Sequence, residues 1–222
     1  MVGKDFTRRE FIHDSAAASA AVAAAGLTAG CARGVAIREM ADVTKTRSYN
    51  ENMEYRRLGK TGLMVSAISL GGHWKKLPYK PGTAEFNKNR ADVISACLDH
   101  GINYVDACAG GEVMAYADAV RGRREEIYFG YSWYEWEMRF AEWQTENKLL
   151  EGFDKGLRQA KLNYVDLWRI TCYWQPKTNH TTAHEEAIVG ALNKARKAGK
   201  VRFCGISTHK HDWAIRMMEK YP

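Results

Sequence analysis

The 222-residue sequence has only four prolines and nineteen glycines, too few for a fibrous or low-complexity chain. No apolar run approaches the ~20 residues that a membrane-spanning helix needs. No block of five like charges occurs. Instead 33 Lys and Arg face 26 Asp and Glu in close alternation, and the net excess of +7 is spread thinly. Such spreading argues for a solvated surface and against a nucleic-acid groove, and it leaves room for an anionic small ligand. No two of the five cysteines (Cys31, Cys97, Cys108, Cys172 and Cys204) stand at C-x-x-C spacing, which argues against a zinc knuckle or a thioredoxin-type motif. The last four lie in apolar surroundings, where a free cysteine is usually a small buried hydrophobe. What the chain does hold is a 45% apolar and 11% aromatic share, enough for a packed core and too much for wholesale disorder.

The N-terminus reads as an address rather than as fold. Arg8 and Arg9 lie in TRREFIH, Phe11 follows two residues beyond, and residues 15–30 are Ala-rich and uncharged. This resembles a twin-arginine export signal over residues 1–31, which implies a protein of the periplasm or cell envelope. The run LTAGC, ending at Cys31, also resembles a lipoprotein cleavage box, with Thr28 where that box prefers Leu. The two readings are a lipid anchor on Cys31 and simple cleavage after a small residue nearby. Residues 32–52 are polar and lack any period, so they read as a linker before a body at 53–222.

From residue 53 the chain alternates strand and helix. Residues 54–58 and 63–66 flank Gly59-Lys60-Thr61-Gly62, a hairpin pattern. Apolar runs at 67–70, 102–107, 127–131, 164–170 and 201–206 read as strands. Helical periods occupy 90–100, 112–121, 146–160, 185–198 and 212–220. Alternation at this spacing means β-α-β units and a parallel sheet. The first strand ends in Gly71-Gly72-His73-Trp74 and not in G-x-G-x-x-G, which removes the phosphate loop of a dinucleotide-binding sheet and favours a (β/α) barrel.

Four strings then carry a resemblance: EYRRLGKTGLMVSAISLGG, HGINYVDA, LNYVDLWRI and KARKAGKVRFCGIS. In this order and spacing they resemble the aldo/keto reductase family. The resemblance implies a TIM-type (β/α)₈ barrel with an N-terminal hairpin across its bottom. The chain supplies the hairpin and about five of the eight strand–helix units. An open barrel of that kind is expected to self-associate through its bare edges.

The same resemblance implies hydride transfer between NADPH and a small carbonyl substrate, assisted by an Asp, Tyr, Lys and His tetrad. Asp106 matches the Asp. Gly111 stands in the Tyr position, Ser132 in the Lys position and Thr171 in the His position, with Cys172 beside it. None of the three replacements supplies the missing acid or charge. Tyr131 and Tyr116 are the phenols that could substitute as general acid. On the cofactor side the family holds the nicotinamide amide with a Ser-Asn pair. Ser207 matches, and Thr208 replaces the Asn.

Two further patterns stand apart. His180 and His184 are one helical turn apart, but no third ligand has a fixed spacing, and Thr181 or Thr182 reads as a helix cap, so no metal site is expected. Trp133, Trp136, Phe140 and Trp143 form a helical stripe just after the third barrel strand. It reads as a short helix packing its aromatic face on the body, or as an aromatic wall over a ligand. Two functional readings follow: an exported aldo/keto reductase-like oxidoreductase with a largely replaced tetrad, and a non-catalytic, barrel-derived binding or scaffold protein of the envelope.

Overall fold

A computed structural model describes residues 42–74, 77–172 and 180–221. The twin-arginine segment, Cys31, residues 32–41 and Pro222 lie outside the described residues.

A two-stranded hairpin opens the body. Strand β1 (Tyr55–Arg57) pairs antiparallel with β2 (Met64–Ser66). The link between them is a tight turn in which Gly59 and Gly62 take positive φ, which only glycine adopts freely. Five parallel strands follow: β3 (Leu70–Gly71), β4 (Tyr104–Ala107), β5 (Tyr128–Tyr131), β6 (Val165–Thr171) and β7 (Val201–Ser207). They pair in chain order, β3-β4-β5-β6-β7. Helices α1 (Ala84–Asp99), α2 (Gly110–Ala119), α3 (Glu146–Ala160), α4 (Thr182–Lys197) and α5 (His211–Lys220) separate or follow the strands. This is the wall of a (β/α) barrel, as the strand–helix alternation implied.

Alternation along each strand sorts the side chains. Val105, Ala107, Phe129, Tyr131, Trp168 and Ile170 are buried and meet Ile94, Val113, Leu149, Phe153 and Ile188 of the helices. The opposite, concave face carries Tyr104, Asp106, Gly130, Leu167, Arg169 and Gly205, which neighbour one another through the strand register. Helix α3 shows how sharply local signals set one element. Thr145 caps it by accepting from the Lys148 N–H, Leu149, Phe153 and Leu157 line its buried face, and Lys161 ends it in the left-handed conformation.

The hairpin and the residues before it close the N-terminal ends of the strands. Ser66 N–H donates to Asn103 Oδ1 at 2.9 Å, and Asn103 Nδ2 donates back to Met64 O at 3.1 Å. Part of the expected linker belongs to this floor. Thr46 Oγ1 donates to Met64 O at 2.6 Å, and Arg47 Nη1 donates to Ile127 O at 2.6 Å. Asp166, 1% exposed at its side chain, receives Arg47 (3.1 Å), Arg124 (2.6 Å), Arg202 (2.6 Å) and the Phe129 N–H (2.9 Å). Burial acts to raise the Asp166 carboxyl, but Arg124, the Phe129 N–H and Arg47 hold it below the usual aspartate range. Residues 42–52 lack an apolar period because polar side chains fix them in place.

Two glycines of α3 admit the aromatic segment. A Cβ on Gly156 would overlap the Tyr131 hydroxyl and come within 2.9 Å of Trp133. One on Gly152 would lie 2.9 Å from Trp136 Cβ. Gly156→Val is therefore expected to lower the unfolding free energy by roughly 1–3 kcal/mol, the cost of overpacking a rigid core. Chemical denaturation checks this, and an unchanged midpoint would mean that Tyr131 and Trp133 yield freely.

Candidate functional site at the C-terminal ends of the strands

Asp106 ends β4 on the concave face, and Arg169 reaches it from β6. The contact is bidentate: Nε to Oδ1 at 2.8 Å and Nη2 to Oδ2 at 2.8 Å. The pair meets across Gly130 of β5, which lies in register with Asp106 and offers no side chain to intervene. The same glycine admits the Tyr104 hydroxyl. Burial acts to lower the Arg169 pKa, but the Asp106 carboxylate outweighs it and holds the guanidinium firmly charged. Asp106 thus keeps a cation beside it, although Ser132 supplies none. Arg169 was legible in principle: it alternates with Trp168 and Ile170, so it must face away from the core.

Ser132 and Thr171 do not line a polar cleft. Their hydroxyls lie 2.7 Å apart, and both residues bond to Glu137. The Glu137 carboxyl, 2% exposed, accepts from Ser132 Oγ (2.6 Å), Thr171 N (2.7 Å), Trp168 Nε1 (3.0 Å) and Trp133 N (3.1 Å). Burial holds this carboxyl above the usual range, against the opposing pull of the four donors. This knot also corrects the expected aromatic helix. The segment forms two single 3₁₀ turns, Tyr134–Trp136 and Ala141–Trp143. Four buried donors converge on Glu137, and drawing it inward breaks the helical period between the turns. Trp133 and Trp136 stack with centroids 4.2 Å apart, and Trp133 and Trp143 are buried. Trp133 and Trp143 are core, Phe140 is exposed, and Tyr134 of the first turn lines a cavity.

That cavity, of about 460 Å³, opens beside the ends of β3 and β4. Gly72, His73, Trp74, Gly111, Glu112 and Tyr134 are among its lining residues. The volume suits a small organic ligand. A Cβ on Gly111 would touch nothing within 4 Å, so the space beside this residue is open. On the rim, His73 Nδ1 lies 2.9 Å from Glu112 Oε1, while Glu112 Oε2 accepts from the Cys108 N–H at 2.8 Å. The Cys108 Sγ is 3.9 Å from His73 Nδ1. Burial, followed by the neighbouring Glu112 charge, pushes the Cys108 thiol up to about 11. The expectation of a simply buried cysteine fits Cys172, but Cys108 is only half-buried and sits in a polar cluster. The sequence reading did not join these three residues. Their signal was position alone: each follows a strand end by one to five residues.

The other expected residues fall elsewhere. Tyr131 points into the helix layer, is fully buried against Phe153, and has no hydrogen-bond partner for its hydroxyl among the described residues. Burial raises its pKa far above the usual phenol value, so it cannot serve as the substitute acid near Asp106. Tyr116 gives its proton to the Gly71 carbonyl, and burial raises its pKa as well. Ser207 ends β7 in register with Thr171, and Thr208 Oγ1 accepts from the Lys210 N–H at 3.2 Å. Thr208 therefore keeps its own O–H to donate. Thr181 caps α4, with His184 Nδ1 accepting from the Thr181 N–H in return, so His184 serves the cap.

Comparison with known proteins places this geometry. Over 181 residues the chain is 26% identical to L-glyceraldehyde 3-phosphate reductase of Escherichia coli K12, covering 75% of the chain and 49% of that protein. Its backbone matches an aldo-keto reductase from Bacillus halodurans in holo form, with a TM-score of 0.57, 22% identity, and coverage of 75% and 54%. An aldo-keto reductase from Klebsiella pneumoniae in complex with NADPH gives 0.57, 21%, 77% and 54%. The chain spans about half the length of the curated relatives it matches. Residues 67–222 match the aldo/keto reductase family along their whole extent, and with the barrel wall, the floor hairpin and the strand-end Asp106 in place, the chain belongs to that family.

Proposed function

We propose that the chain is part of an exported oxidoreductase that moves hydride between NADPH and a small carbonyl or alcohol, with a rebuilt polar site. The observation that carries this reading is the Asp106–Arg169 pair at the mouth of the concave face. It keeps a charged, hydrogen-bonding centre where barrel enzymes do their chemistry, although the usual Lys position is Ser132. Ser207 and Thr208 would hold the carboxamide of the nicotinamide, through hydroxyls at the end of β7. The cofactor, when bound, supplies the hydride. The cavity beside Gly111 would take the carbonyl compound, in the space that the replaced phenol leaves.

The test is carbonyl reduction by the purified full chain, with fluorescence titration of NADPH. Asp106→Asn should remove turnover and leave NADPH binding within about threefold, as for a group acting in the transition state. Full turnover in that variant would overturn the reading.

A second reading is favoured by the Glu137 knot. Ser132 and Thr171 are committed to a buried carboxyl, which suits a non-catalytic envelope protein. Such a protein need not bind NADPH, so the same titration separates the two. Export through the twin-arginine route is part of both readings. Replacing Arg8 and Arg9 by Lys is expected to leave precursor in the cytoplasm, as cell fractionation would show, and normal export would refute the assignment.

A further inference from the structure

We infer that His73, Cys108 and Glu112 form a divalent metal site, of zinc type, with one coordination position open to the cavity. The three donor atoms lie within 4.8 Å of one another. A tetrahedral zinc with bonds of about 2.3 Å to sulfur and 2.0–2.1 Å to nitrogen sets its sulfur and nitrogen ligands ~3.6 Å apart. Cys108 Sγ and His73 Nδ1 are 3.9 Å apart. The nitrogen and a carboxylate oxygen would stand ~3.3 Å apart around the same ion, against 2.9 Å between His73 Nδ1 and Glu112 Oε1. The sulfur stands 3.9 and 4.0 Å from the two ring nitrogens, so the exposed His73 ring has to turn to aim Nδ1 at an ion shared with Cys108 and Glu112.

The surroundings are built for this. Glu112 is oriented from behind, because its other oxygen accepts the Cys108 N–H at 2.8 Å. Outer contacts of this kind fix a ligand before the metal arrives. Gly72 lets Glu112 in: a Cβ there would overlap the carboxylate. The side chain of Glu112 is 10% exposed and that of His73 64%, so an ion would sit at the rim with protein behind it and the cavity in front. Three protein ligands, each of a type zinc takes, and one open position follow the arrangement of catalytic zinc. Binding releases the thiol proton of Cys108 to solvent and forms the metal–thiolate bond, with the other imidazole nitrogen carrying the ring proton.

The open position takes water or the oxygen of a bound carbonyl or alcohol. Its use in turnover rests on the oxidoreductase reading: a Lewis acid there would polarise a carbonyl beside Gly111, where no phenol is available. Binding of the metal does not rest on that reading.

The experiment is metal loading of the full chain after removal of adventitious metal with a chelator. One equivalent of zinc should bind, and cobalt in its place should give a near-ultraviolet thiolate-to-cobalt absorption band. Cys108→Ser should abolish that band with the other four cysteines still present. His73→Ala, which changes an exposed ring and should leave the fold intact by circular dichroism, should weaken binding by more than the roughly 10- to 100-fold that an outer-shell partner costs. Absence of the thiolate band in the folded wild-type chain, its survival in Cys108→Ser, or unchanged affinity in His73→Ala would each overturn the site. NADPH titration of the same preparations tests the oxidoreductase reading separately.

Discussion

Asp166→Ala is expected to destabilise the protein by about 3–5 kcal/mol, the usual cost of removing one partner from a buried charge cluster. Asp166 is sealed at the N-terminal end of β6 and joins three other segments to it: Arg47 before the hairpin, Arg124 and the Phe129 N–H around β5, and Arg202 on β7. Its loss leaves the buried Phe129 N–H without its acceptor and brings three guanidinium groups together without their shared carboxylate, although Arg47 and Arg124 keep the Ile127 carbonyl. The side chain of Arg202 is 40% exposed and can turn to water, which places the effect toward the lower end. The stretch 42–52 should loosen first, because Arg47 is its deepest anchor, so limited proteolysis there should accompany the lower denaturation midpoint. The pH dependence has a fixed sign. The folded carboxyl lies below its unfolded value, so the folded state binds fewer protons. The stabilisation is full above the unfolded aspartate value of about 3.9 and fades as pH falls through the folded one. The stability gap between wild type and Asp166→Asn should therefore narrow below about pH 4. A gap independent of pH would mean that Asp166 acts by shape alone.

Reduction of a simple aldehyde by NADPH, with divalent metal chelated, is expected to run about 10²- to 10⁴-fold slower than in relatives that keep the phenol, since a positioned general acid contributes that much. Gly111 has no proton to give. Tyr131 is sealed against α3, and Tyr116 is bonded to Gly71. Gly111→Tyr should fold, because nothing lies within 4 Å of an added Cβ, yet it should not restore the rate. A phenol needs a neighbouring cation to reach a useful pKa, and Ser132 is tied to Glu137 instead. Arg169 is committed to Asp106 through two bonds. Steady-state rates of wild type and Gly111→Tyr decide the matter. A wild-type rate typical of the family, or full rescue by Gly111→Tyr alone, would show that another acid occupies the site.

The predicted helix at 146–160 matches α3 residue for residue, and the five barrel strands fall within a few residues of their apolar runs. Caps, apolar periods and turn glycines are local, and a local reading finds them. Glu137 defeated it: the stripe Trp133, Trp136, Phe140 and Trp143 has helical spacing, but Glu137 is drawn to Trp168 and Thr171 of β6, 31 and 34 positions away. Residues 42–52 defeated it differently, since hydrogen bonds to Asn103, Ile127 and Asp166 leave no apolar period to detect.

By itself the sequence determined the order of elements, the strand-end position of Asp106, and the identities of Gly111, Ser132 and Thr171 at the strand ends. Those facts reside in residue identity and spacing along one chain. Only the tertiary structure decided that Arg169 crosses Gly130 to hold Asp106, that Ser132 and Thr171 close on Glu137, and that His73, Cys108 and Glu112 gather at one cavity. Each of these depends on strand register and on which end of neighbouring strands a side chain occupies. Parallel pairing brings residues 35 to 63 positions apart within a few ångströms, and no local period along the chain records that distance.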